Sequence, residues 1–197
     1  TKDDQLIFEE KSEAFTVGID LSSDDKYFFI TTSDHNTSEQ YYFAVNEKKP
    51  LPKLIMKRKR GILYSVNSWD EKFYNHTNEN AEDFKIDITD NLEKQNWKIF
   101  IPEKEEVLIG GLTFLNNWII RSETSDALDK LFVKNITTGV EEELLFSDES
   151  VYVPGVSLIQ RDKNTDKIYL GYSSPKTQSR VYSYNLSTKE KKLVKEQ

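Results

Sequence analysis

The sequence predicts an all-β fold, a partial β-propeller made of four four-stranded antiparallel blades. Three observations carry that prediction. The first is a loose fourfold repeat in which an apolar run follows a polar turn: Lys26-Tyr27-Phe28-Phe29-Ile30, Lys72-Phe73-Tyr74, Asn117-Trp118-Ile119-Ile120 and Lys167-Ile168-Tyr169-Leu170. With Tyr27, Phe73, Trp118 and Ile168 as anchors, the steps are 46, 45 and 50 residues. Four short strands at that period are the mark of propeller blades. The second is a further strand-like run after each anchor: Tyr41-Tyr42-Phe43, Phe84-Lys85-Ile86, Leu131-Phe132-Val133 and Val181-Tyr182-Ser183-Tyr184. The third is the lack of any apolar helical period sustained over eleven residues.

Taken in order, residues 1–14 hold one strand-like run, Gln5-Leu6-Ile7-Phe8-Glu9-Glu10, with no partner ahead of it. It reads as the outer strand of a preceding blade. Blade one, about 15–58, offers strands at 15–19, 27–32, 40–45 and 53–57. Blade two, about 59–103, offers 63–66, 72–77, 84–88 and 97–101. Blade three, about 104–148, offers 111–115, 118–122, 130–135 and 142–146. Blade four, about 149–197, offers 156–160, 167–172, 180–185 and 191–195. The second strand of each blade is the most uniformly apolar, as burial on both faces requires. The fourth strands are rich in Lys and Glu, as an exposed edge should be. Turn residues separate the strands at Ser23-Asp24-Asp25, Asp70-Glu71, Asn116-Asn117 and Lys163-Asn164-Thr165-Asp166.

Composition narrows the setting. The chain has 197 residues, 37% hydrophobic and 31% charged, with 11 Phe, 10 Tyr and 3 Trp; such aromatic content suits strands and opposes disorder. No run approaches the ~20 apolar residues of a membrane-spanning helix. Thr1-Lys2-Asp3-Asp4 lacks a secretion-signal pattern. The absence of cysteine excludes disulfides, thiolate nucleophiles and cysteine metal sites, and fits a reducing, cytoplasmic compartment. A net charge of −7 disfavours nucleic acid as partner. The basic run Lys57-Arg58-Lys59-Arg60 reads as a solvated connector between blades. Asn-x-Ser/Thr triplets at Asn36, Asn75, Asn135 and Asn185 read as chance in an Asn-rich chain.

Chemical motifs are sparse. Gly155-Val156-Ser157-Leu158-Ile159 has half a nucleophile elbow and lacks its final glycine; Ser157 reads as a strand serine. His35 and His76 stand near the ends of second strands without zinc spacing or a nominated nucleophile. Asp162, Asn164 and Asp166 match the start of a calcium loop, but Lys167 and Ser173 occupy the glycine and bidentate-glutamate positions. That stretch reads as a hairpin turn. Trp69-Asp70 occurs once and precedes a second strand. Gly110-Gly111 opens an innermost strand, where small residues suit a crowded hub. A propeller glycosidase would need convergent carboxylates. Asp20, Asp34 and Glu123 are available near strand ends, as in any acidic β-protein. No residue is nominated as catalytic, cofactor-binding or metal-ligating, and the residues lining a substrate entrance are not specified.

Several stretches together resemble the oligopeptidase B (protease II) group of the prolyl-oligopeptidase family of serine peptidases, within its N-terminal propeller. They are Ser33-Asp34-His35-Asn36-Thr37-Ser38-Glu39 with Tyr41 and Tyr42, then Tyr64-Ser65-Val66, then Phe73-Tyr74-Asn75-His76-Thr77-Asn78 with Ala81 and Phe84-Lys85. Further along come Tyr169-Leu170-Gly171-Tyr172-Ser173-Ser174-Pro175-Lys176-Thr177, Tyr182-Ser183-Tyr184-Asn185-Leu186 and Lys192-Leu193-Val194-Lys195-Glu196. The resemblance implies a seven-bladed propeller over an α/β-hydrolase domain that cuts short peptides after Lys or Arg. The propeller would filter substrates, and this chain would hold its last four blades. The catalytic Ser, Asp and His of that family belong to the hydrolase domain, which is absent here, so none is carried over and the chain is not catalytic by itself. The implied partners are peptide substrate and the C-terminal hydrolase domain; no cofactor is implied. Two blade faces left uncovered would drive self-association. The alternative is a stand-alone propeller module that binds a peptide or protein.

Overall fold

A computed structural model describes residues 4–145, 152–157 and 163–196. Its described residues contain sixteen strands and no helix. The chain divides into two compact units, Thr1–Glu103 and Lys104–Gln197. Each unit holds two four-stranded antiparallel sheets, one per blade.

In the first unit, blade one is β1 (Thr16–Leu21), β2 (Tyr27–Ser33), β3 (Ser38–Ala44) and β4 (Lys53–Met56). Blade two is β5 (Tyr64–Trp69), β6 (Lys72–Thr77), β7 (Lys85–Thr89) and β8 (Lys98–Ile101). In the second unit, blade three is β9 (Leu108–Leu115), β10 (Trp118–Ser125), β11 (Leu128–Asn135) and β12 (Glu141–Glu143). Blade four is β13 (Val153–Ser157), β14 (Lys167–Ser173), β15 (Arg180–Asn185) and β16 (Lys191–Glu196). Every sheet is a simple meander, with each strand beside the next in sequence.

Turn chemistry sets these registers. Asp70 and Glu71 sit at φ 49° and 60°, and Asp126 and Ala127 at 51° and 59°. Both pairs make two-residue hairpins with positive φ, whose twist matches the strands they join. Asn135 and Asn185 end the third strands of blades three and four in the same way. Each side-chain oxygen accepts two backbone N–H bonds, from Thr137 and Thr138 or from Ser187 and Thr188, at 2.9–3.0 Å. In blades one, two and four the pairing of third and fourth strands slips by a residue, at Gln40/Tyr41, Ile86/Asp87 and Val181/Tyr182. In blade three the irregularity lies between β9 and β10, at Arg121/Glu123. Such bulges bend a strand and raise its twist.

Packing follows the apolar runs. Phe29, Ile55, Tyr64, Val66, Phe73 and Leu92 make the core between blades one and two. Leu115, Trp118, Ile120, Val133, Ile168 and Leu170 are central to the core between blades three and four. The expected two-sided burial of second strands holds for β10, where Trp118 to Arg121 are all buried. It fails for β14, where Ile168, Leu170 and Tyr172 are buried and alternate with less buried positions.

Three further expectations change. Residues 5–10 form no strand and pair with no strand among the described residues. The segment lies against blade one through side chains instead. β9 begins at Leu108 rather than at 111. Ile109 and Leu108 continue the pairing onto Glu123 and Thr124 of β10; within it, a Cβ on Gly110 would lie 2.1 Å from Ser122 Oγ, whereas one on Gly111 would meet nothing within 4 Å. Gly110 is thus required by the neighbouring strand β10. The fourth strand of blade three is Glu141–Glu143; Phe146 lies outside the described residues, as do 158–160 of the expected 156–160 strand.

Candidate functional site

The seam between blades one and two is the densest polar construction in the first unit. β5 pairs with β6 on one edge only, which leaves backbone groups on the other edge to be satisfied. Side chains from β3 supply the partners. The Tyr64 N–H donates to Ser38 Oγ at 2.6 Å, and the Val66 N–H donates to Gln40 Oε1 at 2.6 Å. In return the Ser38 hydroxyl donates to the Tyr64 carbonyl at 2.8 Å. The Tyr64 hydroxyl accepts the Gln40 N–H at 2.7 Å and donates to the Met56 carbonyl at 2.6 Å. Burial pushes the Tyr64 hydroxyl up to about 12. At the other end of the seam, Ser68 donates to Asp24 Oδ2 at 2.7 Å, and the Ser23 N–H donates to Asn67 Oδ1 at 2.8 Å.

These bonds explain why Ser38 and Gln40 can occupy buried strand positions. An unpaired polar group there would cost about 1–3 kcal/mol. Outside the seam core, β4 and the 95–97 stretch enclose a cleft of about 540 Å³, whose walls include Ile55, Met56, Tyr64 and Trp97 and whose lining includes Lys57. Gln95 reaches across from blade two to the Ile55 carbonyl.

The basic run is not a uniform solvated connector. Lys57 and Arg60 are exposed, and Lys59 pairs with Glu79. Arg58 turns inward. Its backbone N–H donates to Glu39 Oε2 at 2.8 Å, and its guanidinium lies 3.2 Å from Glu39 Oε1 and 2.5 Å from Glu10 Oε2. A buried carboxylate on β3 draws one cation of the four out of water, because a buried charge must be paired.

The second unit has its own ion cluster. Arg121, 3% exposed, donates through Nε to Glu123 Oε1 at 2.8 Å and forks onto both oxygens of Glu141 at 2.9 and 3.0 Å. Lys104 completes the group, 2.6 Å from Glu123 Oε1. The Arg121 guanidinium holds the Glu141 carboxyl below the usual carboxylate range. Arg121 also lies over the Phe132 ring, 4.9 Å from its centroid.

The residues singled out in the sequence have structural partners of their own. His35 is exposed in the turn after β2, and His76 stacks on Phe84 at 4.6 Å. Asp34 accepts N–H bonds from Asn36 and Thr37, which close that turn and, the first most strongly, lower its pKa. Asp20 is exposed on β1, at the opposite end of the hairpin from Asp34. Glu123 is taken up by Arg121 and Lys104. Asp166 accepts bonds from the Trp118 indole N–H at 2.8 Å and from the Ser187 hydroxyl at 2.5 Å; Asp162 lies outside the described residues. Ser157 ends β13 and is placed by its backbone alone. Among the described residues no group of three or more His, Cys, Asp or Glu is arranged to hold a metal. The sequence reading nominated none of Arg58, Glu39, Gln40 and Tyr64 as partners of one another. Three consecutive polar residues at the head of an aromatic strand were the available signal.

Comparison with known proteins places the whole chain. The family model described as "Prolyl oligopeptidase, N-terminal beta-propeller domain" matches residues 1–197. The dipeptidyl aminopeptidase BI of Pseudoxanthomonas mexicana is 26% identical over 197 residues, covering 98% of this chain and 27% of that protein. Protease 2 of Moraxella lacunata is 26% identical over 203 residues, covering 97% of this chain and 27% of that protein. Among solved structures, oligopeptidase B from Trypanosoma brucei with covalently bound antipain, in a closed form, superposes with a TM-score of 0.90 at 22% identity. That match covers 100% of this chain and 29% of the other. Oligopeptidase B from Leishmania major gives 0.87 at 15% identity, over 99% and 29% of the two chains. The chain thus spans under a third of the length of the proteins it matches. Its strand order, its four meanders and the match over every residue together place this chain in the prolyl oligopeptidase family, as N-terminal β-propeller.

Proposed function

We propose that the chain is the substrate-gating propeller segment of a serine oligopeptidase that cleaves short peptides after Lys or Arg, with the catalytic groups in a hydrolase domain outside these residues. The observation that carries the reading is the family match over residues 1–197 by a model of the propeller domain. Access is the physical logic. Blades whose edge groups are bonded across a seam, as Tyr64 and Val66 are to Ser38 and Gln40, resist parting. Only chains thin enough to pass a stiff stack then reach the nucleophile. Lid-like parting of blades or domains would admit them.

The partners of this reading are a peptide substrate and a C-terminal hydrolase domain. On its own, the chain associates with itself through the apolar positions Val17, Ile19 and Leu21 of β1, which are 53%, 54% and 42% exposed. The cysteine-free sequence supports a cytoplasmic setting. We read residues 1–14 as part of a blade that precedes blade one in the whole protein. A chimaera tests the gate: these 197 residues replace the matching stretch of the Moraxella lacunata protease 2. Cleavage of a short arginyl peptide together with sparing of a folded protein carrying exposed Lys supports the reading. Equal cleavage of both refutes it.

A further inference from the structure

Residues 4–12 cross blade one without forming a strand, yet they are attached to it at defined points. The face they cross consists of three cross-strand rows: Val17, Thr32 and Glu39; Ile19, Ile30 and Tyr41; Leu21, Phe28 and Phe43. The β1 members are exposed, whereas Ile30 is 3% and Phe43 7% exposed. The Phe8 ring lies 4.7 Å from the Tyr41 ring, centroid to centroid. The Glu10 carboxylate meets Arg58 at 2.5 Å, and the Phe15 ring lies 4.1 Å from the same guanidinium.

The blade fixes Arg58 from the other side. Glu39 takes both its backbone N–H and its guanidinium, and the Tyr41 hydroxyl donates to Glu39 Oε1 at 2.7 Å. The side chains of Glu10 and Glu39 are only 8% and 6% exposed. Two carboxylates that close to burial repel each other unless a cation stands between them, and Arg58 is that cation. Its planar fork reaches both from separate, fixed N–H donors, where a lysine would have to serve both from one nitrogen. The Ser12 N–H on Glu10, together with Arg58, keeps the Glu10 carboxyl below its ordinary range.

We propose that Arg58 is the pin of a strap: it clamps residues 4–15 over the Glu39 and Tyr41 part of this face, and its loss releases them. The pin lies wholly within the first unit and operates whether or not the proposed peptidase role holds.

The chain has no cysteine, so a single label is easily placed. Lys11→Cys, on the exposed part of the strap, carries a nitroxide in the full 197-residue chain, and its electron paramagnetic resonance spectrum reports local motion. An immobilised component is expected in the otherwise unaltered chain. Arg58→Ala should remove it and leave the nanosecond tumbling of a free segment, while Lys59→Ala, its exposed neighbour, should retain it. If Arg58→Ala does not fold, as judged by circular dichroism, Glu10→Gln replaces it, since that change sits on the strap and leaves the blade intact. Absence of the immobilised component before substitution, or its retention in a folded Arg58 or Glu10 variant, overturns the proposal.

Discussion

The hydroxyl of Tyr64, on the first strand of blade two, accepts the backbone N–H of Gln40, on the third strand of blade one, at 2.7 Å. The same hydroxyl donates to the Met56 carbonyl, so one phenol joins three strands. Tyr64→Phe would leave the buried Gln40 N–H and the Met56 carbonyl unpartnered, at a cost of about 1–3 kcal/mol. Urea unfolding should read that loss as a lower midpoint with an unchanged slope.

Alkaline pH tests the burial of this phenol and of two others. Burial pushes the hydroxyls of Tyr64, Tyr41 and Tyr74 up to about 12, and Glu39 adds to the effect on Tyr41. A folded-state pKa above the unfolded value of about 10 means that the stabilisation is complete below pH 10. It is lost as pH rises through 12. Unfolding midpoints should therefore fall between pH 10 and 12, and Tyr64→Phe should fall less steeply there. A flat profile to pH 12 would show these phenols to be solvated.

Adjacent glycines should behave oppositely. Gly110→Ala puts a methyl 2.1 Å from Ser122 Oγ and 3.0 Å from the Ser122 carbonyl, and should destabilise by about 1–3 kcal/mol. Adding Ser122→Ala should recover part of this, because the nearer atom is gone while the carbonyl remains. Gly111→Ala meets open space and should leave the thermal midpoint nearly unchanged. Equal effects at the two positions would refute the assigned register of β9 on β10.

Arg121 stands between Glu123 and Glu141 with its side chain 4% exposed. Arg121→Met keeps much of the volume but strands the buried Glu123 carboxylate with Lys104 alone. Removing one partner of a buried ion cluster costs about 3–5 kcal/mol. Thermal unfolding at pH 7 should show it, and the deficit should shrink at low pH. There, protonation of Glu141, whose pKa Arg121 depresses, removes the benefit from the parent chain as well.

The strand plan was legible because it rests on local signals. β6 and β15 fall where their apolar runs and turn residues place them, at Lys72–Thr77 and Arg180–Asn185. The start of β9 was missed because Gly110-Gly111 reads as a strand opener when the serine opposite is unknown. Side-chain partnerships were the illegible part. Nothing local distinguishes Arg58 from Lys57, Lys59 and Arg60, because what selects it is Glu39 on another strand and Glu10 some 48 residues upstream. For the same reason residues 5–10, strand-like in pattern, form no strand: a ladder is a relation between segments, and pattern alone does not supply the second one.

Self-association follows from the exposed β1 residues. Sedimentation at micromolar concentration should show a dimer or larger species for the isolated chain. Ile19→Lys should shift it toward monomer by placing a charge in the exposed apolar stripe. A monodisperse, stable monomer before substitution would contradict the proposal that this face seeks another sheet.

The most direct test of the central claim, that this propeller segment works with chemistry held elsewhere, is turnover of a fluorogenic arginyl peptide. It should be measured for the 197-residue chain alone and for the same chain joined to the hydrolase domain of a family member. No turnover from the chain alone and clear turnover from the joined protein is the expected result. Hydrolysis by the purified chain alone, abolished by a serine-directed inhibitor, would contradict it.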